Sequence, residues 1–267
     1  MSLIRAILPA WAGLAVVLAA TPTMAADAET PPPETAPAAA PAWSFTLEPY
    51  FWGAGLHGSL GVGRLPQANL NVDFDQIFDH IDWWPPPVML AGEARNGPYA
   101  IFTDFMYIGL EADGSSRERL PTSASADLNL IIWTFGGSYR VVDYGTATLD
   151  FLAGGRLWYL NPDLTLTGPR GDVREASGST TWVDPLVGVA GGVGLGNGFG
   201  LHAEADVGGF GAGAEIDWQV LGTLQYQYND RVTLEAGYRY LAVDFEHNRF
   251  LLDVALQGPL IGVKIRF

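Results

Sequence analysis

The 267 residues contain no cysteine, so disulfide and thiolate chemistry are excluded. Positive charge is scarce: 14 Lys and Arg stand against 29 Asp and Glu, a formal charge of −15. A chain so acidic is expected not to bind nucleic acid, which calls for a basic patch against the phosphates, and to attract cations instead. Long apolar runs are also missing. Beyond residue 25 no continuous stretch approaches the roughly 20 residues that a membrane helix needs. What is abundant is Gly, with 33 residues, together with 9 Trp, 10 Tyr and 13 Phe, a composition that suits glycine-rich strands carrying aromatic girdles.

The amino terminus has the layout of an export signal. Met1 to Arg5 supplies positive charge, Ala6 to Ala20 is an apolar run broken only by Pro9 and Gly13, and Thr23-Met24-Ala25 offers small residues for cleavage. Removing residues 1–25 takes away Arg5 and no acid, leaving 13 Lys and Arg against 29 Asp and Glu, a charge of −16. Residues 26–42, rich in Pro, Ala and acid, read as a flexible periplasmic spacer. Residues 43–267 then form one domain.

Strand signals recur along that domain with turn punctuation between them. They fall at about 43–56, 88–95, 99–110, 127–142, 146–160, 182–195, 199–210, 216–228, 232–245 and 250–267. Tight Asn, Asp and Gly turns follow the second, fourth, sixth and eighth. Long polar segments, 57–87, 111–126 and 161–181, follow the first, third and fifth. Short turns at one end and long loops at the other are the regular asymmetry of outer-membrane barrels. The expected fold is all-β: one antiparallel, up-and-down transmembrane barrel, with ten strands and eight as the alternative.

Within these segments the alternation separates two faces. Leu149, Phe151, Ala153, Leu157 and Tyr159 oppose Thr148, Asp150, Arg156 and Trp158. Val232, Leu234, Ala236, Tyr238 and Tyr240 oppose Thr233, Glu235 and Arg239, and Trp218, Val220, Leu224 and Tyr226 oppose Asp217, Gln219, Thr223 and Gln225. In the last strand Ile261, Val263, Ile265 and Phe267 oppose Gly262, Lys264 and Arg266. A lipocalin-like barrel would show the same alternation with the apolar face inward, because periodicity alone does not say which face meets solvent. The terminal Phe, the aromatics at strand ends and the opposite charges on the polar faces favour the membrane barrel.

With those faces assigned, the chain resembles the small outer-membrane β-barrel proteins of Gram-negative bacteria, and more narrowly a group of proteobacterial barrels that carries no established activity. The phrases that carry the resemblance are Leu47-Glu-Pro-Tyr-Phe-Trp52, Thr181-Trp-Val-Asp-Pro185, Asp206-Val-Gly-Gly-Phe210, Gly237-Tyr-Arg-Tyr-Leu241 and Gly258-Pro259. The resemblance spans nearly all of 43–267 and implies fold and an outer-membrane location. It brings no functional residues with it. Aromatic termini such as Phe267 look like the signal read by the barrel-assembly machinery, and outer-membrane lipid and lipopolysaccharide are the other expected partners.

The inward positions collect Glu48, Glu93, Arg95, Asp104, Arg140, Asp150, Arg156, Asp184, Glu204, Asp206, Glu235, Arg239, Lys264 and Arg266. They read either as a narrow polar pathway for small solutes and ions or as a lumen packed shut by ion pairs. The similar numbers of acids and bases favour packing, since buried charges are tolerated only when paired. No cofactor site stands out. Segment 72–84 has acids at 73, 75, 79 and 82 at a spacing suited to a short amphipathic helix, but it lacks the glycine and closing glutamate of an EF-hand calcium loop. His247 near Asp244 and Asp253, or His80 near Asp79 and Asp82, would be the candidates for a rim hydrolase like the ten-stranded omptin proteases. Without a fixed geometry for either pair, the expected function is non-enzymatic, a narrow channel or a structural barrel, with adhesion through the long loops as the alternative.

Overall fold

A computed structural model describes residues 42–62, 68–72, 87–116, 122–167, 173–247 and 250–267. The signal segment, the spacer up to 41 and the acidic segment 73–82 with its His80 lie outside them. Thirteen strands are present: β1 (Ser44–Trp52), β2 (Gly55–Val62), β3 (Ala68–Val72), β4 (Val88–Asn96), β5 (Tyr99–Ser116), β6 (Thr122–Asp143), β7 (Ala147–Thr167), β8 (Val173–Ser177), β9 (Thr180–Gly196), β10 (Phe199–Gly209), β11 (Ile216–Gln227), β12 (Val232–His247) and β13 (Phe250–Arg266).

The wall runs β1-β4-β5-β6-β7-β9-β10-β11-β12-β13 and closes where β13 pairs antiparallel with β1, from Thr46↔Arg266 to Trp52↔Leu260. β2 carries the same edge of β13 onward, from Gly55↔Gln257 to Val62↔Phe250. The closed wall therefore has ten staves, the first being β1 followed by β2, and eight is excluded. Closure removes the edges that an open sheet would leave in lipid. The amide of Phe267 completes the seam by donating to the Phe45 carbonyl at 2.9 Å.

The tight turns sit where the sequence placed them. Between β9 and β10, Asn197 and Gly198 both have positive φ, 53° and 83°, as a two-residue turn matched to strand twist requires. The other end departs from expectation. Segments 57–87, 111–126 and 161–181, read as polar loops, contain strand: β5 and β6 pair up to Ser116↔Thr122, β7 pairs with β8 up to Thr167↔Val173, and β2 pairs with β3. Polar composition hid this, because backbone pairing continues wherever a neighbouring strand is present, whether or not one face is apolar.

The outward face is apolar and aromatic. Val183, Val187, Val189 and Val193 of β9, Leu201 of β10 and Val220 and Leu224 of β11 are all exposed. At the end with the short turns Trp43, Tyr99, Tyr144, Tyr228 and Phe267 are more than half exposed, the position of an aromatic girdle. The inward face changes character along its length. Near the short turns it carries charge. Toward the long-loop end it is a packed apolar core of Trp52, Met106, Ile132, Trp158, Trp182, Leu241, Val243, Phe245, Leu252 and Leu256.

Candidate functional site

β1 shows the gradient on one strand, because its inward side chains climb the lumen two residues at a time. Glu48 meets a lysine, Tyr50 an arginine–aspartate pair, and Trp52 the apolar core. Each level is built from a different part of the wall.

At the rim there are two clusters. Lys264 lies 3.0 Å from Glu235 and 3.4 Å from Glu48, while Gln225 donates to Glu235 at 3.2 Å. On the other arc Arg95 bonds both oxygens of Glu93 at 2.9 Å and reaches Asp150 of β7 at 3.0 Å. Arg140 holds the same Asp150 at 2.9 Å and Asp143 at 3.7 Å. Arg266 is exposed at the rim.

The next level is bridged by side chains that cross the lumen. Arg239 of β12 reaches Asp104 of β5 at 2.9 Å, four staves away around the wall. Tyr50 donates to the same Asp104 at 2.6 Å and accepts from Arg239 at 3.2 Å. Gln219 accepts from Arg239 at 3.0 Å and donates to Glu204 at 2.9 Å. The Arg239 guanidinium also lies 4.8 Å from the centre of the Trp52 ring, which joins the charged level to the apolar one through a cation–π contact.

Arg156 forms the deepest cluster and is fully buried. It grips Asp206 with paired bonds of 2.9 and 3.0 Å, pairs with Asp217, and donates to Thr134 at 3.0 Å. Trp158 donates to the second oxygen of Asp217 at 2.8 Å. Asp184 lies directly across from Arg156 in the β7–β9 register, but its hydrogen bonds go elsewhere. It accepts from Trp182 at 2.8 Å and from the Ala214 amide at 2.6 Å, so it pins the turn 210–215 into the barrel mouth. Charge-assisted bonds from three guanidinium nitrogens and satisfied carboxylate oxygens are what make such burial tolerable.

Above these pairs the rings close the section. Trp182 stacks on Phe245 with centroids 3.8 Å apart, and Trp158 stacks on Trp182 at 5.8 Å. β9 and β12 are three staves apart, so the Trp182–Phe245 contact is a chord across the lumen, not a neighbour contact along the wall.

Two residues change the reading of the sequence. Asp217 is absent from the expected charged set, yet it is fully buried and completes the Arg156 cluster. Its signal was the alternation itself, since it opposes Trp218 and Val220. His247 shares the inward parity of buried Phe245, whose ring is 6.4 Å away, whereas Asp244 and Asp253 pair with each other on the outward face. The wall separates His247 from both carboxylates, so the first proposed hydrolase pairing is not assembled.

No family model matches the chain, and no curated protein does. Among solved structures, the outer membrane protease OmpT from Escherichia coli aligns over 85% of this chain and 97% of its own, with 10% identity and a TM-score of 0.54. The translocator domain of the autotransporter NalP from Neisseria meningitidis aligns over 84% and 88% at 12% identity, with a TM-score of 0.43. Ail, the attachment invasion locus protein of Yersinia pestis, aligns over 84% and 98% at 13% identity, with a TM-score of 0.29. The likeness to OmpT is one of architecture: the chain has the fold of the Gram-negative outer-membrane β-barrels.

Proposed function

We propose that the protein is an integral outer-membrane barrel of non-enzymatic type with a closed lumen, serving the membrane as a structural element and not as a passive channel. The observation that carries this reading is the set of chords across the lumen: Arg239 to Asp104, Arg156 to Asp217, and Trp182 to Phe245. A barrel of this size has an interior that side chains can fill, and here the charged level and the apolar level are both bridged from wall to wall. Lipid and lipopolysaccharide are its surroundings, and Phe267, bonded into the seam with β1, is the residue we expect the assembly machinery to read. Planar-bilayer recording on the refolded protein tests the closed lumen. Silence from a barrel shown to be folded is expected, and a steady unitary conductance would overturn the reading.

One observation favours a second role alongside the first. β5, β6 and β7 run past the apolar band and β3 and β8 pair alongside the upper strands, so the long-loop end offers ordered backbone for binding an external partner. Deleting 168–172 and joining β7 to β8 directly would leave the barrel folded. Loss of cell-surface attachment in that variant is the result this second role requires.

A further inference from the structure

The wall closes on itself along β1 and β13, and the backbone of this seam is interrupted. In an antiparallel pair, the amide and carbonyl of every second residue point at the partner strand. The Phe267 amide donates to the Phe45 carbonyl at 2.9 Å and the Gly53 amide to the Pro259 carbonyl at 2.8 Å, so on both strands the odd-numbered residues face the seam. Pro49 and Pro259 both occupy such positions. Neither has an amide hydrogen, so Pro49 offers none to the carbonyl of Val263 opposite, and Pro259 offers none to that of Gly53. The register follows: partners run from Thr46↔Arg266 to Leu47↔Ile265, skip Glu48 and Pro49, and resume at Tyr50↔Gly262. By contrast, β12 and β13 pair without a break from Val232↔Ile265 to His247↔Phe250, and β10 and β11 do so from Phe199↔Tyr226 to Gly209↔Ile216. Proline within a sheet belongs at free edges, and here it marks the two edges that exist only until the barrel closes.

On the lumen side, side chains supply the connection that the ladder lacks. Three successive inward residues of β1 each reach past the seam. Glu48 meets Lys264 of β13 at 3.4 Å. Tyr50 accepts from Arg239 of β12 at 3.2 Å, which carries the link over β13 altogether. Trp52 donates its indole N–H to the Gly258 carbonyl of β13 at 3.2 Å. Gly262 makes room for this clasp, because a Cβ there would lie 3.0 Å from Glu235 Oε1 and 3.2 Å from Tyr50 Cβ. Side chains from the staves on either side therefore lean over β13 at the point where its own backbone is least well paired.

We infer that the β1–β13 seam is the conformational joint of the barrel, the line along which the folded wall opens sideways between lumen and lipid. The interrupted ladder sets where it opens, and the clasp of Glu48, Tyr50 and Trp52 sets how often. Opening parts β1 from β13 while β1 stays paired with β4, since the amides of Thr46 and Glu48 face that other neighbour and the β1–β4 register is unbroken from Ser44↔Arg95 to Pro49↔Leu90. Pro49 and Pro259 are exposed on the outward face, so the ladder can be altered there without touching the lumen. The inference concerns the wall and not axial conduction, so it stands or falls independently of the planar-bilayer result.

Amide hydrogen exchange, followed residue by residue on the full chain folded in detergent micelles, tests the joint. The amides of Leu47, Phe51, Ile261 and Ile265, which face the seam, should exchange about tenfold faster than those between β10 and β11, the equivalent of one or two lost ladder bonds. On β1 itself, Thr46 and Glu48 should exchange more slowly than Leu47 and Phe51. Pro49→Ala returns a donor opposite Val263 and should slow the seam amides about fivefold, as one added hydrogen bond does. Tyr50→Phe leaves Arg239 paired with Asp104 at 2.9 Å and should speed the same amides by about the same factor, with β10 and β11 unchanged. Seam amides as protected as those of β10 and β11 would overturn the inference. So would equal exchange at Thr46 and Leu47, which would mean that β1 frays as a whole, or seam rates indifferent to Pro49→Ala.

Discussion

The two halves of the lumen solve the same packing problem with different chemistry. Toward the short turns, long charged side chains lie against one another in pairs that stay partly open to solvent, as the exposures of Glu93 and Lys264 show. Toward the long-loop end, leucines, valines and stacked rings exclude water, and the charges at the boundary, among them Arg156, Arg239, Asp206, Asp217 and Asp184, are almost wholly buried. Charge that keeps contact with water costs little to pair and gains little from pairing. Charge taken out of water must be paired completely, or the loss of one partner exposes the full desolvation cost of the other. The lower half is therefore adjustable and the upper half is not.

Removing Arg156 should produce the largest effect. Arg156→Met leaves Asp206 and Asp217 buried without their cation, which is expected to cost about 3–5 kcal/mol. Glu93→Gln, in the open half, should cost roughly 1 kcal/mol or less after solvent screening. Urea unfolding of both variants in detergent micelles measures the difference, and equal losses would mean that the two halves do not differ as described.

Opening the apolar half comes next. Trp182→Ala removes the ring that joins Trp158 to Phe245 and should cost about 3–5 kcal/mol less whatever the site recovers by collapsing. In a planar bilayer the variant should conduct intermittently where the parent is silent. If it stays silent while folded, the ion-pair level alone seals the lumen, and the apolar half is packing without a gating consequence.

A fourth variant tests how tightly the turn 210–215 is held. A Cβ added to Gly213 would lie 2.6 Å from both Asp184 Oδ1 and Trp182 Cδ1. Gly213→Ala should therefore cost about 1–3 kcal/mol, as overpacking does, and should weaken the bond from the Ala214 amide to Asp184. Faster hydrogen exchange at Ala214, with exchange in β1 unchanged, is the expected signature.

The smallest effect lies on the outer wall, where Asp244 and Asp253 face each other directly across β12 and β13. Like charges in that position repel, so Asp253→Asn should stabilise the barrel by a few tenths to about 1 kcal/mol at low salt. The gain should shrink as salt is raised. A gain that persists at high salt would point to packing instead.

Much of the barrel was legible in the chain, and the places where it was not share a cause. On β12 the apolar and polar residues alternate without ambiguity from Val232 to Tyr240, and the structure turns them outward and inward accordingly. Farther along, Leu241, Val243 and Phe245 are apolar and inward, and on β13 Leu252, Val254 and Leu256 are buried while Asp253 faces out. The rule of a polar lumen inverts within a single strand, because the upper lumen is a core and not a watery space. The alternation reports which residues share a face, but it does not report what that face meets. Charge balance escaped for the same reason. The inward acids and bases are similar in number along the chain, yet which acid meets which base depends on which walls face one another.

By itself the sequence determined the tight turns and the two faces of each stave, because alternation and turn chemistry act between residues only a few positions apart, while it left ten staves and eight both open. It also determined that the inner wall carries acids and bases of both signs. Only the tertiary structure decided that Arg156 would meet Asp217, that Arg239 would reach Asp104, and that Trp182 would lie on Phe245. These contacts join strands that are not neighbours in the wall, and their existence depends on the curvature and stagger with which the sheet closes on itself. No local pattern encodes that closure, and it is the closure that fills the lumen.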